Sequence, residues 1–170
     1  MKGSLVASLL GMTLACASAP EIHHQVVIPP PSTPRSAFFL EKVQVQSRET
    51  GAEAWQRNED YARALAEALK QALLAANKTL APPPADSVKP RLYLAYAPAP
   101  ATGKGSKRAG ARVEVRIDLV DAASGKPAYS THTELEIAPS LLSKVGWAPE
   151  ADQLIHDVIE KSAQDFVSRL

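Results

Sequence analysis

The stretch "ARVEVRIDLV" at 111–120 leaves few folds open to this chain. Val113, Val115, Ile117 and Leu119 recur at period two, and Arg112, Glu114, Arg116 and Asp118 fill the positions between them. Successive side chains of a strand point to opposite faces, so this segment has one apolar and one charged face. A parallel sheet covered by helices on both sides needs apolar residues on both faces. This strand therefore belongs to an antiparallel sheet with one face packed and the other open to water. "DAASGKP" follows as a turn built around Gly125, and "AYSTHTELEI" (128–137) continues the pattern. There Tyr129, Thr131, Thr133, Leu135 and Ile137 share one face, and Ser130, His132, Glu134 and Glu136 the other. The two strands are expected to form an antiparallel hairpin in which Arg112 and Arg116 can meet acidic residues across the ladder.

"AFFLEKVQVQS" (37–47) and "RLYLAYA" (91–97) also read as strands. In the first, Phe39, Val43 and Val45 share one face while Phe38 and Leu40 take the other. "AWQRNEDYARALAEALKQALLAAN" (54–77) has helical spacing. Ala62, Leu65, Ala66, Leu69, Leu73 and Ala76 lie on one side, and Arg57, Arg63, Glu67, Lys70 and Gln71 on the other. Thr50 and Glu53 are spaced as a capping box, and Asn77 closes the helix. "PEADQLIHDVIEKSAQDFVSRL" (149–170) opens with Pro149, followed by Glu150 and Asp152 in the first turn. Its apolar stripe runs through Leu154, Ile155, Val158, Ile159, Ala163, Phe166, Val167 and Leu170. Prolines set "LAPPPADSVKP" (80–90) apart as a loop. The expected fold is a two-layer α+β domain over 38–170. It has a four-stranded, mostly antiparallel sheet with two helices on its apolar face, in the order β-α-β-β-β-α.

The N-terminus follows a different logic. Met1-Lys2 is followed by an uncharged, largely apolar run to Ala15, the layout of a secretory signal peptide. The chain's single cysteine, Cys16, comes next. "Thr13-Leu14-Ala15-Cys16" resembles the lipobox of bacterial lipoproteins, although Thr13 stands where that family usually has leucine. The resemblance implies removal of 1–15 and acylation of the Cys16 sulfur. It also implies a lipid-anchored, periplasm-facing protein of a Gram-negative bacterium. The absence of Asp at the second position after the cut points, by the same resemblance, to the outer membrane. An ordinary cut after Ala17, reading Ala15-Cys16-Ala17, would instead release a soluble domain. Residues 16–37 include Pro29, Pro30, Pro31 and Pro34 and read as an extended tether. With the lipobox, the tether and the order of elements, "RVEVRIDLVDAASGKP" and "KSAQDFVSRL" resemble segments of small outer-membrane lipoproteins. These include the LPS-assembly lipoprotein that plugs the LPS translocon and uncharacterised envelope lipoproteins. Cys16 is the one site residue this resemblance carries over.

Without Lys2, the chain holds 18 basic and 18 acidic residues, a balance that gives nucleic acid no electrostatic footprint. His23, His24, His132 and His156 follow no metal-ligand spacing, so neither a metal nor a cofactor is expected. No Gly-x-Ser-x-Gly elbow occurs. Glu114, Asp118, Glu134 and Glu136 offer carboxylate pairs of the type a glycosidase uses, but an open sheet face laced with ion pairs also accounts for them. "GKGSKRAG" (103–110) is not a P-loop, because Pro98 stands where the first glycine belongs. It reads as a hairpin tip whose Lys104, Lys107 and Arg108 can meet anionic lipid, LPS phosphate or an acidic protein. With Arg112 and Arg116, these are the candidate binding residues. The expected function is that of a non-enzymatic accessory or assembly subunit of a cell-envelope complex. It would engage the bilayer through acylated Cys16 and an envelope protein as partner. The alternatives are a periplasmic hydrolase acting on cell-wall or sugar substrates, or a soluble secreted binding domain.

Overall fold

The computed structural model describes residues 22–48, 52–96, 110–137 and 149–170. Its elements are β1 (Ile22–Ile28), β2 (Ala37–Leu40), β3 (Gln44–Ser47), α1 (Ala52–Ala75), β4 (Thr79–Leu80), β5 (Asp86–Tyr96), β6 (Ala111–Val120), β7 (Pro127–Ile137) and α2 (Pro149–Val167). They form one seven-stranded sheet in the order β1-β7-β6-β5-β2-β4, with β3 pairing β5 beside β2. Both helices pack on one face of it, so the α+β class matches the expectation. The sheet differs from the expected four strands in four places: the two-residue β4 runs parallel to β2 where no strand was expected, and the other three each have a local cause.

Ile22–Ile28 lies in the segment expected to be a tether, yet it is the edge strand β1, antiparallel to β7. Ile22, His24 and Val26 alternate with the exposed His23, Gln25 and Val27, and the partly buried set turns toward the helices. Between Pro20 and Pro29 the segment has no proline, and that is the stretch the strand occupies.

The single strand expected over 37–47 is two strands, and both run parallel to β5. Leu40 pairs with Val88 and Val45 with Leu92, so one extra residue is accommodated between β2 and β3. An inserted residue flips the side-chain parity that follows it. Phe38 and Leu40 therefore share the core face with Val45, although their spacing places them on opposite faces of an unbroken strand.

β5 begins at Asp86, inside the expected loop, and contains Pro90. The Val88 carbonyl accepts a bond from the Glu41 N–H and the Leu94 carbonyl one from the Arg48 N–H. Even-numbered residues of β5 thus aim their backbone groups toward β2 and β3. Pro90 shares that parity and falls opposite the break between those two strands, where its missing N–H costs no ladder bond.

The core lies between the sheet and the helices. α1 contributes Tyr61, Leu65, Leu69 and Leu73, and α2 contributes Ile155, Val158, Ile159, Ala163 and Phe166, all buried. Val113, Val115, Ile117 and Leu119 of β6 are fully buried beneath them. Each large aliphatic side chain buried in this way contributes roughly 1.5–3 kcal/mol. Phe166 stacks on Tyr129, with ring centroids 4.9 Å apart. Asn77, at φ 56°, ends α1, and the Lys78 N–H donates to the Leu73 carbonyl at 2.9 Å. Gly125, at φ 66°, closes the β6–β7 turn. There the Ser124 N–H and hydroxyl both donate to the Asp121 carboxylate. These two bonds, with Arg35 beside them, hold the Asp121 carboxyl down at about 2.

Candidate functional site

Because both helices cover one side, the opposite face of β7, β6, β5 and β3 has no covering element among the described residues. Alternation on β6 sends Arg112, Glu114, Arg116 and Asp118 to this open face, as expected from the sequence. The strand register brings β5 and β7 alongside. Arg112 pairs with Ala95 and Glu136, Glu114 with Tyr93 and Glu134, Arg116 with Arg91 and His132, and Asp118 with Lys89 and Ser130.

Two ion-pair centres organise the face. In the first, Asp118 is only 2% exposed despite its place on the polar side. It accepts hydrogen bonds from the Ser130 hydroxyl, from Arg116 Nε at 3.1 Å and from Arg91. Burial pushes the Asp118 carboxyl up, but these three donors outweigh it and hold it below the usual carboxylate range. Arg116 therefore meets an acid on its own strand rather than one across the hairpin. In the second centre, Arg112 Nε lies 2.9 Å from Glu114, and its Nη2 donates to Glu134 on β7. His132 Nε2 stands 3.1 Å from the other oxygen of Glu114. The expected cross-strand pairing of Arg112 is present here.

Beside these centres runs a groove of about 380 Å³, whose walls include Gln44, Gln46, Arg91, Tyr93, Glu114 and Arg116. Of these, the sequence reading singled out Arg116 as a binding residue. Arg91 and Tyr93 were legible only as the parity opposite Leu92 and Leu94, to which the sequence assigns no face, and Val88 lies in the expected loop. Gln44 and Gln46 were not legible, because the extra residue before β3 conceals which face they take. Cys16 and the tip residues Lys104, Lys107 and Arg108 lie outside the described residues.

A second polar group lies on the packed side, beneath α2. His24 Nδ1 bonds with the Thr133 hydroxyl at 2.9 Å and stands 3.8 Å from Asp165. Its Nε2, the Thr131 hydroxyl and the Tyr129 hydroxyl are buried with no partner among the described residues. Burial lowers the His24 pKa below its ordinary value, with Asp165 opposing and Arg169 and Lys161 adding to the shift. Burial likewise pushes the Tyr129 phenol up to about 12.

No family model matches the chain, and no curated protein does. Among solved structures, it is similar to a putative neuraminyllactose-binding hemagglutinin homolog from Helicobacter pylori. That match has 11% identity and a TM-score of 0.52, covering 84% of this chain and 88% of that one. A PelC dodecamer subunit from Paraburkholderia phytofirmans aligns at 15% identity and TM-score 0.46, over 89% and 100% of the two chains. A minor lipoprotein from Acinetobacter baumannii aligns at 18% identity and TM-score 0.35, over 78% and 88%. At these identities the hemagglutinin homolog shows a shared fold alone.

Proposed function

We propose that this chain is a lipid-anchored envelope lipoprotein of a Gram-negative bacterium, acting as a non-enzymatic accessory or assembly subunit that docks a partner on its open sheet face. The observation that carries the reading is the asymmetry of the layers. Two helices seal one side of the sheet, while the other presents a groove beside two centres of paired arginines and carboxylates. Such a face is soluble when uncovered and offers hydrogen-bonding groups in fixed positions to a polar partner. The lipobox-like Thr13-Leu14-Ala15-Cys16 supports the anchor. Acyl chains contribute roughly 0.8 kcal/mol per buried CH₂, and more than one chain is needed for stable anchoring, which leaves the protein surface free for its partner. Lys104, Lys107 and Arg108 join this reading as charges able to favour an anionic surface by about 1 kcal/mol each.

Metabolic labelling with a fatty acid tests the anchor. The wild-type chain takes up label and Cys16→Ser does not; equal labelling of both, or none in either, refutes it. Affinity capture from cross-linked envelopes tests the docking face. The paired change Gln44→Arg and Gln46→Arg, at exposed positions, reduces recovery of the partner, and so does replacement of Lys104, Lys107 and Arg108 by Glu at low salt. A recovered partner unaffected by Gln44→Arg with Gln46→Arg places docking elsewhere.

A further inference from the structure

We propose that Glu114, His132 and Glu134 form a binding site for a divalent transition cation of the zinc class on the open sheet face. Each of the three offers one ligand atom, and these atoms lie within 4.8 Å of one another. The donor set is an imidazole nitrogen with two carboxylate oxygens, a combination that zinc accepts at about 2.0–2.2 Å. A small rotation of the side chains closes the remaining gap, and all three are partly exposed, at 27%, 27% and 22%.

Two features set this group apart from an ordinary surface cluster. Glu114 and Glu134 are direct partners in the β6–β7 register. Like charges placed directly opposite each other destabilise a sheet unless a cation stands between them. The third donor, His132 Nε2, is already aimed at this pair from the next position of β7 on the same open face. Neither His156 nor His24 has a comparable set. His156 meets Asp152 along one helix, and His24 meets Asp165 beneath α2, each with a single carboxylate.

Arg112 is the cation that now bridges the two glutamates, and it defines how the site works. Its Nε and Nη2 take one oxygen from each, leaving Glu114 Oε2 bonded to the imidazole. A metal ion entering between Glu114 Oε2 and His132 Nε2 takes the place of the contact between them, with the neutral imidazole carrying its proton on Nδ1. Arg112, held on one oxygen of each glutamate, opposes the ion as a rival positive charge. Three protein ligands leave one tetrahedral position open. Glu114 also lines the groove, so that position adjoins the place where a partner's carboxylate or imidazole would arrive. The site fastens β6 to β7 and does not depend on the lipid anchor.

Calorimetric titration of the detergent-solubilised full chain with ZnCl₂ tests this. Wild type binds one equivalent, and its melting temperature rises with zinc, not with magnesium, and falls back with EDTA. His132→Ala and Glu114→Gln each weaken binding at least tenfold. Arg112→Gln strengthens it severalfold, because the competing positive charge is gone. His156→Ala, on α2 and away from this face, leaves it unchanged. Absence of saturable binding overturns the proposal. So does binding that survives both His132→Ala and Glu114→Gln. If His132→Ala fails to fold, a wild-type melting temperature indifferent to zinc and EDTA overturns it by the second measurement.

Discussion

Removing the Asp118 carboxylate should destabilise this domain through the hydroxyl it leaves behind more than through the arginines. In Asp118→Ala, Ser130 remains fully buried and loses its acceptor. An unsatisfied buried hydroxyl costs about 1–3 kcal/mol. Arg91 and Arg116 behave differently, because their side chains are 47% and 44% exposed and can return to water. Their lost pairs count as surface ion pairs, at roughly 0.2–1 kcal/mol each. The sum is about 3 kcal/mol, with the hydroxyl as its largest part. Asp118→Asn keeps an acceptor for Ser130 and should cost only about 1 kcal/mol. The double change Asp118→Ala with Ser130→Ala should recover at least about 1 kcal/mol of the single loss. Urea denaturation at neutral pH, with midpoints compared at constant slope, measures all three. The same carboxylate fixes a pH dependence. Its folded pKa is depressed, so between the folded and unfolded values the native state binds fewer protons than the unfolded chain. The stabilisation is complete above the ordinary aspartate range, near pH ~4, and is lost as pH falls through the folded value. Asp118→Asn should therefore flatten the acid limb of the stability curve. Equal costs for the Ala and Asn variants, or a double variant no more stable than Asp118→Ala, would refute the reasoning.

On α2, Ile159→Asp places a charge at a 1% exposed site and should lower the melting temperature strongly, whereas Glu160→Ala at the neighbouring exposed position should move it little; indistinguishable melts would mean that the other face of the helix packs. At the β6–β7 turn, a Cβ on Gly125 meets nothing within 4 Å, so Gly125→Ala should cost only the backbone penalty of positive φ, about 1 kcal/mol, and Gly125→Asn less; a loss well above that in chemical denaturation would mean that space rather than φ selects glycine. Beneath α2, the His24 pKa is lowered by burial, so its contribution to stability is full above pH ~6.5 and lost as pH falls through the folded value. Melting between pH 7.5 and 5 should show a steeper acid loss in wild type than in His24→Gln, and parallel curves would exclude His24 as the titrating group.

Patterns set by neighbours in the chain were readable without a structure. The period-two alternation of Val113 to Leu119 declared an open charged face, and the helix containing Leu65, Leu69 and Leu73 declared its buried side. Asn77 and Gly125 marked a helix end and a turn because their backbones occupy left-handed conformations. These features depend on local sterics and on which faces are apolar, and both are written in residue order. Pairing across the sheet is not. The extra residue between β2 and β3 exists only relative to β5, which is why Phe38 and Val45 lie on one face against their spacing. β1 could become a strand because β7 offered an edge, and Pro90 could enter a strand because the ladder to β2 and β3 is broken there. Glu114, His132 and Glu134 follow the same rule. Their spacing along the chain matches no ligand motif, yet the hairpin register sets the two glutamates opposite each other with the imidazole beside them. Long-range register is decided by which apolar faces can be buried together, and that competition involves residues far apart in the chain.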